Sequence, residues 1–303
     1  MWIAFGLFVV AMLLLDLALF GRRGQEISMR RAIGWSIGWT VFGLAFAAFL
    51  WAWQGREPAG AFLAGFLIEK SLSVDNLFVF ALVFGYFGIP PIWQRRPLFW
   101  GIVGAIVLRA LFIAAGAALL DAFHYAIYLF GAFLIVTGVR MARQGEMHVD
   151  PERNPALKLL RRLVPVTSDH EEDRLVVRKR EGWEATPMLA SLILIATFDV
   201  VFAVDSIPAI FAVTRETFVV YAANAFSLLG LASLYFVLVG MMMRFRYLNV
   251  GLAVVLVFIG AKMALADLYE LPVFAALVVV IVTLAASVAA SLLQAKPVER
   301  RAT

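Results

Sequence analysis

Four carboxylates stand where charge is expensive. Glu69 and Asp75 lie six residues apart in one apolar run, Asp199 and Asp205 six apart in another, and a small polar residue, Asn76 or Ser206, follows the second acid of each pair. At the centre of a bilayer each acid costs about 2.5–3.5 kcal/mol on insertion scales, so four approach roughly 10 kcal/mol, comparable to the stability of a whole domain. Such groups must face one another, water or a cation, and they are expected to line a transport site. Carboxylate, amide and hydroxyl oxygens are hard ligands suited to magnesium, calcium or manganese. The chain has no cysteine. That excludes disulfides, thiolate metal sites, iron-sulfur clusters and cysteine nucleophiles, leaving oxygen or histidine to meet any metal.

Residues six apart on a continuous helix differ by about 9 Å in height and about 120° around the axis, so Glu69 and Asp75 cannot both grip one small ion. A site therefore needs two helices. Glu69, Ser73 and Asn76 share one face, and Asp199, Ala203 and Ser206 form the matching face of the other helix. Pro208 cannot donate to the carbonyl of Val204, which predicts a freed oxygen and a kink or break beside Asp205. Lys70 and Arg109 are expected to be counter-ions to the acids, and Asn224 and Ser227 could reach the site or simply bond between helices. Asp16, near the cytoplasmic end of the first run, reads as an entry ligand or as an acid solvated at the interface. His124 reads as interfacial, and Gly34-xxx-Gly38 as close helix packing.

The elements that carry these residues follow from hydropathy. With 63% hydrophobic residues and a mean hydropathy of +0.90, the chain has the bilayer as its solvent. Apolar runs near 2–20, 32–53, 59–86, 98–120, 122–142, 186–212, 217–242, 247–268 and 272–293 are each long enough to cross a hydrocarbon core of roughly 30 Å, predicting an all-α polytopic protein of nine transmembrane helices. Lys and Arg fall 21 in alternate loops on one side and 2, Arg56 and Arg215, on the other. The N-terminus is then expected outside and the C-terminus in the cytoplasm. The first run has Arg22 and Arg23 after it and none before, so it reads as an anchor and not as a cleaved signal. Basic residues gathered in such blocks write membrane topology, not a nucleic-acid surface. No GxxxxGK[ST] loop occurs, so primary pumping by this chain is not expected. The long polar stretch 144–185, with Pro151, Pro155 and Pro165, reads as a solvated cytoplasmic connector, and its patch Asp169-His170-Glu171-Glu172-Asp173 as solvated charge.

The chain also repeats itself. Glu69 to Asn76 aligns with Asp199 to Ser206, Phe123-His124-Tyr125 with Phe245-Arg246-Tyr247, and Thr137-Gly138 with Ile259-Gly260. Each repeat is three helices, an odd number, so the two must cross the bilayer in opposite senses, a plan found in many secondary transporters. The expected organisation is one transmembrane domain, with repeat one near 59–142, a loop near 143–185, repeat two near 186–268, and flanking helices 2–20, 32–53 and 272–293. Arg140 is expected at the cytoplasmic end and Lys262 at the external end of equivalent helices, where each can snorkel to its interface.

The stretches Glu69-Lys-Ser-Leu-Ser-Val-Asp75-Asn76-Leu-Phe-Val-Phe, Phe198-Asp199-Val-Val-Phe-Ala-Val-Asp205-Ser206-Ile-Pro208 and Asn224-Ala-Phe-Ser-Leu-Leu-Gly230 resemble the TerC family, and its Alx-type branch in particular. The resemblance covers nearly the whole chain. It implies a bacterial inner-membrane protein linked to manganese export and alkaline-pH response, with older names that refer to tellurium resistance and redox modulation. Some relatives are thought to supply manganese to exported metalloenzymes beside the secretion machinery. The family's two acidic motifs map onto Glu69, Asp75, Asp199 and Asp205, with Asn76 and Ser206 beside them. Where the family often carries a basic residue in the stretch after Gly230, this chain has Ala232, while Arg109 stands at about the equivalent place in the first repeat.

Residues and resemblance together predict a secondary exporter of a divalent cation, Mn2+ or else Ca2+, with protons as a counter-ion, no prosthetic group and no enzymatic activity. The metal site is expected at Glu69, Asp75, Asn76, Asp199, Asp205 and Ser206, supported by Asp16, Ser73, Lys70, Arg109 and Asn224. The other reading is a non-transporting membrane partner that delivers metal to exported proteins or serves a stress response. A two-aspartate intramembrane hydrolase would lack the GxGD pattern.

Overall fold

The computed structural model describes residues 2–20, 28–123, 125–144, 154–165, 174–179, 182–239, 248–265 and 272–293. The backbones of Asp75 and Asp205 belong to helices in these ranges, but their side chains, like His124 and the 169–173 patch, lie outside the described residues.

The helices run α1 Trp2–Phe20, α2 Met29–Gln54, α3 Arg56–Tyr86, α4 Arg95–Ala122, α5 Ala126–Gln144, α6 Pro155–Leu163, α7 Pro187–Phe211, α8 Thr217–Leu228, α9 Leu231–Val239, α10 Leu248–Ala264 and α11 Val273–Leu293. One two-stranded antiparallel hairpin, β1 Val176–Lys179 and β2 Gly182–Ala185, precedes α7 and qualifies the expected all-α class. Among the described residues, five helices are long and apolar enough to cross a membrane, and α8 with α9, bent by 45° at their break, brings the number to six when the pair is counted as one span. The helix α3 cannot meet a purely apolar criterion, because every 18-residue stretch of it carries at least three charges from Arg56, Glu57, Glu69, Lys70 and Asp75. It lies at the centre instead, packed on α2, α7, α8, α9 and α11.

Lipid tails are as apolar as leucine, so helices in a bilayer associate through close packing more than through exclusion from solvent. Two devices are visible. Phe226 of α8 stacks on Phe46 of α2 with ring centroids 4.3 Å apart, and Phe5 and Phe8 of α1, Phe42 of α2 and Phe62 of α3 complete the ring around it. Glycines supply the second. A methyl group on Gly260 of α10 would stand 2.6 Å from the Gly131 carbonyl oxygen of α5, and one on Gly138 of α5 would stand 2.8 Å from that of Ala253. Residues rise along α5 as their partners fall along α10, so the two helices run antiparallel with their backbones nearly touching. By contrast α4 and α7 run in the same direction, Gly101 meeting Ile195 and Gly116 meeting Ile207 and Phe211. The same holds for α3 and α8, where Gly65 meets Ala223 and Lys70 reaches Ser227 and Leu229.

Three expectations are corrected here. The run 217–242 is not one straight helix: α8 ends at Leu228, Gly230 takes φ +74°, and α9 starts at Leu231. Glycine is the residue that tolerates this conformation, and the ring of Trp39 occupies the space into which any Cβ would project. Of the kink or break expected beside Asp205, the break is absent, because α7 continues to Phe211 and Pro208 sits in its last turn. The connector is not simply solvated. Asn154 caps α6, accepting from the amides of Ala156 and Leu157 at 2.9 and 3.3 Å ahead of Pro155, and the helix buries Leu157 and Leu160 while packing on α7. Thr186 then caps α7 and donates to the Arg174 carbonyl at 2.7 Å, tying the hairpin to the helix.

Candidate functional site

The two predicted polar faces are buried. On α3, Glu69 and Ser73 are fully enclosed and Asn76 nearly so; on α7, Asp199, Ala203 and Ser206 are likewise inside. The i, i+4, i+7 spacing points each set to one side of its helix, and the helices pack against each other.

Arg109 of α4 joins them. Its guanidinium, 1% exposed, pairs through Nη1 with Glu69 and through Nη2 with Asp199 Oδ1 at 3.4 Å. Nη1 also donates to Asn224 Oδ1 of α8 at 2.9 Å, and Asn224 in turn donates from Nδ2 to the Val220 carbonyl at 3.2 Å, which fixes the amide's orientation. Four helices therefore meet on one planar cation, a geometry suited to arginine because its fork serves several acceptors at once. Arg109 thus pairs with an acid from each of the two helices.

The cluster is not closed on itself. Among the described residues, Glu69 Oε2, Asp199 Oδ2, and the hydroxyls of Ser73 and Ser206 are buried without a hydrogen-bond partner, as is Arg109 Nε. Buried oxygens in this state are rare in folded proteins, and each costs about 1–3 kcal/mol. Several orphaned oxygens of hard-ligand type, two of them carboxylate, form a donor set that fits a hard divalent cation. Among the described residues no group of three or more His, Asp or Glu side chains comes together. Glu69 and Asp199 are the two acids whose meeting is described, and Asp75 and Asp205 lie farther along the same helices.

Three expected assignments change. Lys70 does not turn to the acids; its Nζ donates to the backbone carbonyls of Ser227 and Leu229 at 3.1 and 3.3 Å, at the end of α8. The last carbonyls of a helix have no partner within it, and the broken end of α8 offers two of them to the ammonium. Asp16 is not solvated at an interface. It is 7% exposed and accepts from Trp39 Nε1 at 2.8 Å. Lys262, expected only to anchor its helix, donates to the Ala212 carbonyl at the end of α7 at 3.2 Å. Ser227 bonds its own helix, donating to the Asn224 carbonyl at 2.7 Å. Sequence reasoning missed Gln94, which donates to the Ile89 carbonyl at 2.7 Å and accepts from Tyr235 at 2.8 Å, pinning α9 to the α3–α4 turn.

Comparison with known proteins agrees with this architecture. Residues 54–299 match the model of the "Integral membrane protein TerC family". The chain is 48% identical over 92% of its length to a Salmonella typhi protein named "Putative membrane-bound redox modulator Alx", covering 90% of that protein. It is 45% identical to the Escherichia coli K12 protein of the same name, with the same coverage, and 45% identical to a Myxococcus xanthus membrane protein, STKORF319, over 98% of this chain and 93% of that one. No solved structure matches the chain. The chain is a multi-pass integral membrane protein and belongs to the TerC family.

Proposed function

We propose that this protein is a secondary transporter that exports a divalent metal cation, Mn2+, across the bacterial inner membrane in exchange for protons, through the acidic cluster between α3 and α7. The observation that carries the reading is the set of buried, unpartnered oxygens on Glu69, Ser73, Asp199 and Ser206 around a single arginine. Glu69 and Asp199 supply anionic oxygens, Ser73 and Ser206 neutral ones, and Asp75, Asn76 and Asp205 extend the set along the two helices. Arg109 holds the acids together when metal is absent. With Lys70 engaged on carbonyls, the four acids carried by α3 and α7 outnumber Arg109 by three formal charges, which favours a divalent cation and leaves room for a proton.

Nine spans, α8 and α9 counting as one, with the N-terminus outside, agree with the distribution of Lys and Arg. Helix packing supports an inverted repeat. Exchanging α3, α4 and α5 for α7, α8–α9 and α10 turns the α3–α8 contact into α7–α4, and both pairs run parallel. It turns the Gly131–Gly260 crossing into Ala253–Gly138, which is also present. A pseudo-twofold axis produces such a reciprocal pattern, and transporters of this plan bind their cargo where the repeats meet.

The relatives' names speak of redox modulation, yet this chain has no cysteine with which to exchange thiols. The test is cellular manganese. In a bacterial strain deprived of its own manganese exporters, the wild-type chain should lower cell-associated manganese under manganese load, and Asp199→Asn, inserted at equal level, should not. Equal manganese content with and without the wild-type chain would overturn the reading.

A further inference from the structure

The broken span has polar partners that the acidic cluster does not use. At its break, α8 ends with carbonyls that no helical amide can reach. Lys70 Nζ holds two of them, from Ser227 and Leu229, at 3.1 and 3.3 Å. One residue on, Gly230 turns the chain with φ +74° against the ring of Trp39, whose indole nitrogen donates to Asp16 at 2.8 Å. Asp16 stands one indole ring away from the turn whose carbonyls Lys70 binds. Five helices, α1, α2, α3, α8 and α9, thus converge on one ammonium, two carbonyl oxygens and one buried carboxylate. Among the described residues, the neighbouring Glu69 turns to Arg109 of α4 and Asp16 of α1 accepts from Trp39, so the described partners of Lys70 are the two carbonyls.

Unwound carbonyls at the C-terminal end of a half-helix, next to a carboxylate, form the kind of oxygen set that holds a small monovalent cation inside a membrane. We propose that the α8–α9 break and Asp16 form a second cation site, separate from the acidic cluster, and that Lys70 fills it as a tethered cation. A bare ion would come and go; the ammonium is covalently held, so the bent span keeps its shape without a bound ion. Free Na+ or K+ is then not needed to hold this part of the fold. Removing the lysine should open the site to a small cation of similar size and charge.

This inference does not rest on the transport reading, and its readout is thermal stability, so the two can fail separately. Full-length wild-type protein and Lys70→Ala, purified in detergent, are melted in choline chloride and in equal concentrations of ammonium, sodium or potassium chloride. Wild type and Lys70→Arg should melt alike in all four salts. Lys70→Ala should melt lower in choline and regain at least ~3 °C in ammonium or sodium at about 100 mM, saturably, as a bound ligand stabilises its site. The double variant Lys70→Ala with Asp16→Asn should lose most of that recovery. If Lys70→Ala gives no monodisperse protein in choline, extraction in ammonium should restore it. Lys70→Ala melting like wild type, responding equally to choline, or staying unfolded in every salt would overturn the proposal.

Discussion

Replacing Arg109 by methionine tests the geometry of the acidic cluster most severely. Methionine keeps the length and apolar bulk of the side chain and deletes the charge. The arginine is 1% exposed and serves Glu69, Asp199 and Asn224, so the substitution strands two carboxylates and one amide oxygen among helices α3, α4, α7 and α8. Removing one member of a buried ion pair costs about 3–5 kcal/mol. At about 2–4 °C per kcal/mol, the unfolding midpoint in detergent should fall by about 6–20 °C. The cause is charge imbalance, not lost packing, so the triple variant Arg109→Met, Glu69→Gln, Asp199→Asn should regain more than half of the loss. Saturating Mn2+ should raise the midpoint of the single variant more than that of wild type, because two acids then face the ion without an arginine. A single variant melting within ~2 °C of wild type, or a triple variant no more stable than the single, would refute this account of the cluster.

Other consequences are simpler to check. Gly260→Ala places a methyl 2.6 Å from a backbone oxygen of α5, where nothing flexible can yield; it should destabilise by about 1–3 kcal/mol, read as a lower melting midpoint. Asp16→Leu should melt below Asp16→Asn by ~1 kcal/mol or more, since asparagine still accepts the Trp39 indole hydrogen bond and leucine leaves it buried and unmet. Glu171→Ala and Glu172→Ala, in the polar stretch between α6 and β1, should leave manganese content and melting unchanged; loss of either would mean that the acidic patch takes part in function.

Much of this fold is legible from hydropathy, because a bilayer admits few backbone solutions and each span announces itself by length. The buried faces of α3 and α7 are equally legible, since a carboxylate inside an apolar run has few places to point. The break after Leu228 is not. Apolar residues continue on both sides of it, glycine is common in membrane helices, and only the backbone turn at Gly230 and the indole of Trp39, 191 positions away in sequence, reveal the role. Charge bookkeeping sends Lys70 to the acids, yet an ammonium is a point donor on a flexible stem and the orphaned carbonyls of α8 are nearer; Arg109, with a planar fork, takes the carboxylates. Asp16 reads as interfacial from its distance to Arg22, and a tryptophan on the next helix buries it instead. The connector hid a capped helix because Leu157 and Leu160 are too few to stand out against its charges.

Metal flux into proteoliposomes tests the central claim most directly. Wild-type protein and Asp205→Asn, reconstituted at equal density, are offered manganese, calcium and magnesium separately, with and without a pH gradient. The account predicts manganese flux by the wild type that depends on the gradient and is abolished in the variant, which still inserts and folds. Well-folded wild-type protein that moves none of the three ions, or an Asp205→Asn variant with undiminished flux, would contradict it.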